Sequence, residues 1–235
     1  MGRAIALRFA RDGYGVAAAG RTEGPLHALC DELTHAGAAA LPLACDVTNR
    51  DEVHAAVARA ELALGSIDVL VNNAGVSDSA PFVTMSDEMW DRMLSVNLTG
   101  TYHGMRAVVP GMFERRRGRV INIASVAART GFPYTAGYVA AKHGVLGLTR
   151  AVALEAVTRG VTVNAICPGW IDTEMTDRSI ARIASLTSLT PEAARQTLER
   201  MNPQRRLIQP DEVAAIAAFL ASAEAHGING QGIDL

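Results

Sequence analysis

Cysteine is scarce in this chain, and the three present, Cys30, Cys45 and Cys167, are odd in number and lack metal-ligand spacing. That excludes a disulfide framework and a cysteine-built metal site, and it leaves reduced thiols in a cytoplasmic protein as the expectation. Aromatic residues make up only 5% of the chain against 49% hydrophobic residues overall, so the core must be built from Ala, Val, Ile and Leu. No apolar run is long enough to span a bilayer, so no membrane partner is expected. The formal net charge of −2 lacks the basic excess of a nucleic-acid surface. There is no internal repeat, linker or low-complexity stretch, and 235 residues suffice for one domain with a sizeable core. Met1-Gly2 is not followed by the Ser or Thr of a myristoylation signal. Asn97-Leu98-Thr99 fits a glycosylation sequon, but no other feature points to secretion. Arg3, Arg8 and Arg11 could belong to a transit peptide; the spacing of Ile5 and Phe9 fits a first crossover helix better.

What is present alternates in period. Helical spacing is expected over residues 3–12, from near Pro25 to before Gly37, over 51–64, over 86–115 with a bend near Pro110, over 135–156 and over 210–221, with a helical excursion over 172–203. Short apolar runs at 16–19, 39–45, 69–72, 119–124, 161–166 and 230–235 read as strands. Strands alternating with helices predict an α/β fold, a doubly wound parallel sheet in a single domain.

Chemistry concentrates in one stretch. Tyr138 and Lys142 lie four apart on an expected helix, so phenol and ammonium share a face. A nearby cation favours phenolate and draws a tyrosine down from its usual value of about 10, which suits a general acid/base. Ser125 closes the apolar run before it, at the C-terminal end of a strand, where open α/β sheets bind ligands.

With Asp46-Val47, Asn72-Asn73-Ala74-Gly75, Asn97, Ser125, Tyr138-x-x-x-Lys142 and Pro168-Gly169 in this order and spacing, the sequence resembles the short-chain dehydrogenase/reductase family over practically its whole length. The resemblance implies a Rossmann-like fold and hydride transfer between a nicotinamide cofactor and a carbonyl or secondary alcohol, with no metal. It makes Tyr138 the proton donor or acceptor, Ser125 the group that positions the reacting oxygen, Lys142 the residue that tunes Tyr138 and holds the nicotinamide ribose, and Asn97 the anchor of a proton-relay water. It also assigns cofactor contacts to Gly2, Asp46 and Val47 beside the adenine, Asn73, Gly75, Pro168, Gly169, Ile171 and Thr173. One departure stands out. The family opens with a strand and a Thr-Gly-x-x-x-Gly-x-Gly loop, of which this chain has only the last glycine, Gly2. The missing strand would lie between 16–19 and 69–72. The expectation is therefore an N-terminally truncated domain, lightly clipped at its end, that binds cofactor poorly unless extended upstream.

Cofactor choice turns on Gly20-Arg21. An acidic residue at the end of the second strand would grip ribose hydroxyls, whereas an arginine can pair with a 2′-phosphate. NADP(H) is favoured, with NAD(H) possible. Residues 154–169 are similar to aromatic-polyketide ketoreductases and 3-oxoacyl carrier-protein reductases. The segment from Arg206 with Gly227-Ile-Asn-Gly-Gln is similar to those and to 3-hydroxyacyl-CoA dehydrogenases. Arg116 and Arg159 fall where such reductases meet the acidic acyl carrier protein. Residues 174–204 would form a lid, and Phe132, Tyr134, Trp170 and Tyr102 could line an acyl pocket. The leading expectation is an NADPH-dependent reductase of a 3-oxoacyl thioester or polyketide, assembled as a homotetramer through 86–115 and 135–156. A dehydrogenase of another secondary alcohol stays open. A nucleotide-sensing regulator would lack the catalytic set that this chain retains.

Overall fold

A computed structural model describes residues 1–235. Its elements alternate as the sequence predicts: α1 (Gly2–Arg11), β1 (Val16–Gly20), α2 (Glu23–His35), β2 (Ala40–Ala44), α3 (Arg50–Leu64), β3 (Val69–Asn72), α4 (Asp87–Leu94), α5 (Gly100–Arg115), β4 (Gly118–Ile123), α6 (Ala136–Ala156), β5 (Val161–Cys167), α7 (Glu174–Leu186), α8 (Pro191–Met201), α9 (Pro210–Ala221) and β6 (Gly232–Asp234). All strand pairings are parallel.

The sheet comes in two pieces. β2 pairs with β1, and β3, β4, β5 and β6 pair in that order. Between the facing edges of β1 and β3 runs a slot of about 820 Å³, lined by both strands and by α1 and α3. It lies where the resemblance places an additional strand. Ala17 and Ala19 of β1 are exposed, so water reaches this edge.

Side-chain alternation along β4 and β5 assigns the two faces. Ile121, Ile123 and Ile166 point to α1 and α9, where they meet Ile5, Phe9, Val213, Ala217 and Leu220. Val120, Val161 and Val163 point to α5 and α6, against Met105, Val108, Met112 and Ala156. Small helix residues let these layers close on few aromatics. Cutting Ile166, which is fully buried, to alanine would cost about 2–5 kcal/mol by cavity formation.

The 86–115 segment differs from expectation. Pro110 lies inside α5 and does not end it; the interruption is a π-helical turn, Ser95–Thr99, between α4 and α5. An exposed face accommodates the proline, whereas the wide turn carries the buried amide of Asn97. The lid also resolves into two helices, α7 and α8, with Thr190 capping the second through the Ala193 N–H.

Candidate active site

Every parallel strand from β1 to β5 delivers its candidate residues at its C-terminal end, so one edge of the molecule collects them. Arg21 follows β1, Asp46 and Val47 follow β2, Asn73 and Gly75 follow β3, Ser125 follows β4, and Pro168 and Gly169 follow β5.

The structure brings Ser125, Tyr138 and Lys142 together. Lys142 is 5% exposed, its Nζ 5.7 Å from the centre of the Tyr138 ring and donating at 2.8 Å to the carbonyl of Ile123, two residues before Ser125. Ser125 lies in extended backbone, and its hydroxyl caps the following turn by accepting from Ala127 N–H at 3.1 Å. Burial holds the Tyr138 phenol above its usual value, partly offset by a hydrogen-bonding contact from Ser125. That corrects the expected downward pull from Lys142. Burial also presses the ammonium down, to about 8, so the cation that should stabilise phenolate is itself disfavoured there.

Asn97 is fully buried. Its Nδ2 donates to the carbonyls of Val76 and Met93, both at 2.9 Å, and its Oδ1 accepts from Val76 N–H at 3.1 Å. One amide hydrogen and the amide oxygen therefore fix the turn after β3, and the other hydrogen is spent on α4. A Cβ at Gly75 would stand 2.9 Å from Asn97 Oδ1 and 3.7 Å from Lys142 Nζ, so glycine is required for that turn to close on the lysine.

The cofactor candidates form an arc along the same edge. Gly2 opens α1, and a side chain there would meet Asn73 Nδ2 at 2.6 Å. Asn73 Oδ1 is buried and has no partner, an acceptor left for a bound donor. The Asp46 carboxylate accepts from Thr48 N–H and hydroxyl at 2.9 and 2.8 Å. These bonds hold it below the usual carboxylate range, with burial opposing and the Arg21 cation helping. Val47 packs against Gly100, whose missing Cβ would come within 2.7 Å of it. Ile171 bridges to Ile208, and Thr173 immediately precedes α7 at its N-cap. A dinucleotide fits this arrangement: a helix N-terminus and small residues for phosphates, an orphan amide oxygen, and a lysine and tyrosine at the far end.

Several supports escaped the sequence reading. Asn202, at the end of α8, accepts from Trp170 N–H and donates to the Trp170 carbonyl, both at 2.9 Å, fixing the turn after Pro168-Gly169. Arg182 of α7 donates to the carbonyl and hydroxyl of Ser79 at 2.7 and 3.1 Å, which ties the lid to the loop after Gly75. Asn72 donates to Asn122 at 2.8 Å and Asn122 to Thr149 at 2.9 Å, a buried polar chain joining β3, β4 and α6. An asparagine inside an apolar strand run was the available signal.

Arg116 and Arg159 stand elsewhere. Arg116 donates to the Thr158 carbonyl at 2.9 Å, and Arg159 sits 5.9 Å from the Phe113 ring centre. Both precede their strands, at the N-terminal ends of β4 and β5. The six residues of β4 separate that edge from Ser125, roughly 20 Å at about 3.3 Å per residue.

Comparison with known proteins points to one family. Residues 1–235 match the family model adh_short_C2, described as Enoyl-(Acyl carrier protein) reductase. The chain is 38% identical over 235 residues to a 3-oxoacyl-[acyl-carrier-protein] reductase of Staphylococcus aureus, covering 99% of this chain and 91% of that one. It is 35% identical to a putative ketoacyl reductase of Streptomyces coelicolor, covering 100% and 91%. Among solved structures, an actinorhodin polyketide ketoreductase with NADPH superposes with a TM-score of 0.95 at 36% identity, covering 99% of this chain and 90% of that one. A levodione reductase superposes at 0.94 with 33% identity over the same shares. On the family model and these relatives together, the chain belongs to the short-chain dehydrogenase/reductase family.

Proposed function

We propose that this protein is an NADPH-dependent ketoreductase acting on a 3-oxoacyl thioester or a polyketide. The observation that carries the reading is the convergence of the Tyr138 and Ser125 hydroxyls beside buried Lys142 at the C-terminal ends of the strands. Two hydroxyls side by side suit a carbonyl oxygen that becomes an alkoxide. NADPH supplies the hydride when bound. Tyr138 gives its proton to the oxygen, and Ser125 holds that oxygen in place. Burial keeps the phenol protonated, the form that reduction requires. Lys142 orients the ribose, and Asn97 keeps the Val76 turn pressed towards it. Arg21 would pair with the 2′-phosphate, Asp46 and Val47 would border the adenine, Gly2 would meet the phosphates, and the Asn73 amide oxygen would accept from a cofactor hydroxyl. Gly75, Pro168, Gly169, Ile171 and Thr173 line the nicotinamide end.

Arg116 and Arg159 form a docking point for an acidic acyl carrier protein. Because they lie at the edge opposite Ser125, a carrier bound there would serve the site of a neighbouring copy in a homotetramer.

The levodione reductase likeness favours a second reading, reduction of a ketone that is not a thioester. A panel of acetoacetyl thioesters, cyclic diketones, steroids and sugars with NADPH and NADH separates the two. Turnover confined to compounds other than thioesters would reject the first.

A further inference from the structure

Ser125 leaves β4 in extended backbone, and the segment around it is tied to β5: Ala124 N–H donates to Ile166 O at 2.8 Å and Val126 N–H to Pro168 O at 3.0 Å. The next turn ends at Arg129, whose side chain reaches over a hundred residues along the chain. Its Nε donates to Asp234 Oδ1 at 3.0 Å and its Nη2 to the carbonyl of Gly232, both in β6. β6 in turn borders the exit of β5. Leu235 N–H donates to Cys167 O at 3.3 Å, and Gly169 N–H donates to Leu235 O at 3.1 Å. One guanidinium thus joins the Ser125 turn to the strand that holds the Pro168-Gly169 turn.

The packing has been shaped around this reach. A Cβ on Gly232 would stand 2.8 Å from Arg129 Nη2 and 2.9 Å from Leu146 Cδ1, on the helix that carries Tyr138 and Lys142. Beneath the turn, the fully buried Cys167 faces the Ser125 amide and the Arg129 guanidinium. The ion pair is partly solvated, with side-chain exposures of 32% and 61%, so it contributes little to stability through charge alone. What a planar two-point fork supplies here is direction.

We propose that Arg129 is a positioning residue: by clamping the Ser125 turn to β6, it sets the Ser125 hydroxyl relative to Tyr138 and to the Pro168-Gly169 turn. This rests on the role given to Ser125 above. The test compares Arg129→Met and Arg129→Lys with the unaltered protein, using NADPH and acetoacetyl-coenzyme A as the probe. Arg129→Met is expected to lower kcat about tenfold while KM for NADPH stays within twofold, and Arg129→Lys to recover part of the loss. Added to Ser125→Ala, Arg129→Met should cost less than a further twofold, because its effect passes through the serine. A full tenfold loss in that background would overturn the proposal.

Amide exchange provides an arm independent of turnover. In Arg129→Met the Val126 and Ala128 amides should exchange at least tenfold faster while residues 136–156 are unchanged; unchanged exchange at Val126 and Ala128 overturns the proposal. Absence of turnover in the unaltered protein would count against the ketoreductase reading instead, and the exchange result would still decide the role of Arg129.

Discussion

Lys142 Nζ is bonded to the carbonyl of Ile123 at 2.8 Å, so the buried cation of α6 is fastened to the strand that carries Ser125. Its position is costly before any ligand arrives, because burial lowers its pKa from 10.5 to about 8. The unfolded chain therefore binds more protons than the folded one between these values, and stability rises with pH across that window. The penalty is fully present below about 8 and absent above 10.5. Lys142→Met should remove it. Denaturant unfolding of the ligand-free protein is expected to show the variant gaining on the unaltered chain by about 2–3 kcal/mol as pH falls from about 10 to 7. A stability difference independent of pH would mean that the ammonium is solvated in the folded state.

Tyr138 carries the proton, and replacing it with Phe removes the hydroxyl while keeping the ring that packs. Tyr138→Phe should leave less than a tenth of the reductase rate, with NADPH affinity and the melting temperature nearly unchanged. Residual activity above that level would remove Tyr138 from the proton-donor role. Lys142→Ala is expected to weaken cofactor binding as well as turnover.

Arg21 is exposed at the end of β1, on the same edge as Asp46. If it holds the 2′-phosphate, Arg21→Asp loses a charged hydrogen bond worth roughly 1.5–3 kcal/mol and gains repulsion. The ratio of kcat/KM for NADPH over NADH should then fall about tenfold or more. An unaltered ratio would show the phosphate to be held elsewhere.

Arg116 and Arg159 allow a prediction that separates docking from chemistry. Reversing both charges with Arg116→Glu and Arg159→Glu should leave turnover of acetoacetyl-coenzyme A within twofold, because neither touches the active edge. KM for a carrier-protein-bound 3-oxoacyl thioester should rise at least tenfold, with the effect shrinking at high salt. Equal effects on both substrates would point to a structural role through Thr158 and Phe113.

Much of this was readable in the chain because the site is local to strand ends. Ser125, Tyr138 and Lys142 are set by one strand, one turn and one helix, so their spacing encodes their meeting. The parallel strands were legible for a similar reason: Val120, Ile121 and Ile123 in one run and Val163 and Ile166 in the other put apolar side chains on both faces, as a doubly covered sheet requires. What escaped depends on partners far apart in sequence. Nothing near Arg129 announces β6, 103 residues on at Gly232, and nothing near Gly169 announces Asn202. The π turn at Asn97 was hidden because residues 86–115 keep helical spacing throughout, and Pro110 drew the expected bend to itself. The tuning of Tyr138 was misjudged because spacing reports a neighbouring charge but not the burial that both groups share.

The slot between β1 and β3 gives the last prediction. In a parallel strand the N–H and carbonyl of one residue face the same neighbour, and successive residues alternate. Val16 N–H is bonded to Ala39 and Gly20 O to Cys45, so Val16, Ala18 and Gly20 face β2 while Ala17 and Ala19 face the slot. Asp68 O is bonded to Arg119 N–H, so Leu70 and Asn72 face β4 while Val69 and Val71 face the slot. Four amides, those of Ala17, Ala19, Val69 and Val71, therefore lack ladder partners in a cavity that water enters. In residues 1–235 they should exchange at least a hundredfold faster than Ile121 and Val163 in the paired core. Addition of NADPH should slow them little, because the cofactor arc lies at the strand ends and not between the edges. Protection of all four equal to that of Val163 would mean that the slot is closed in solution by an extended segment paired to both strands.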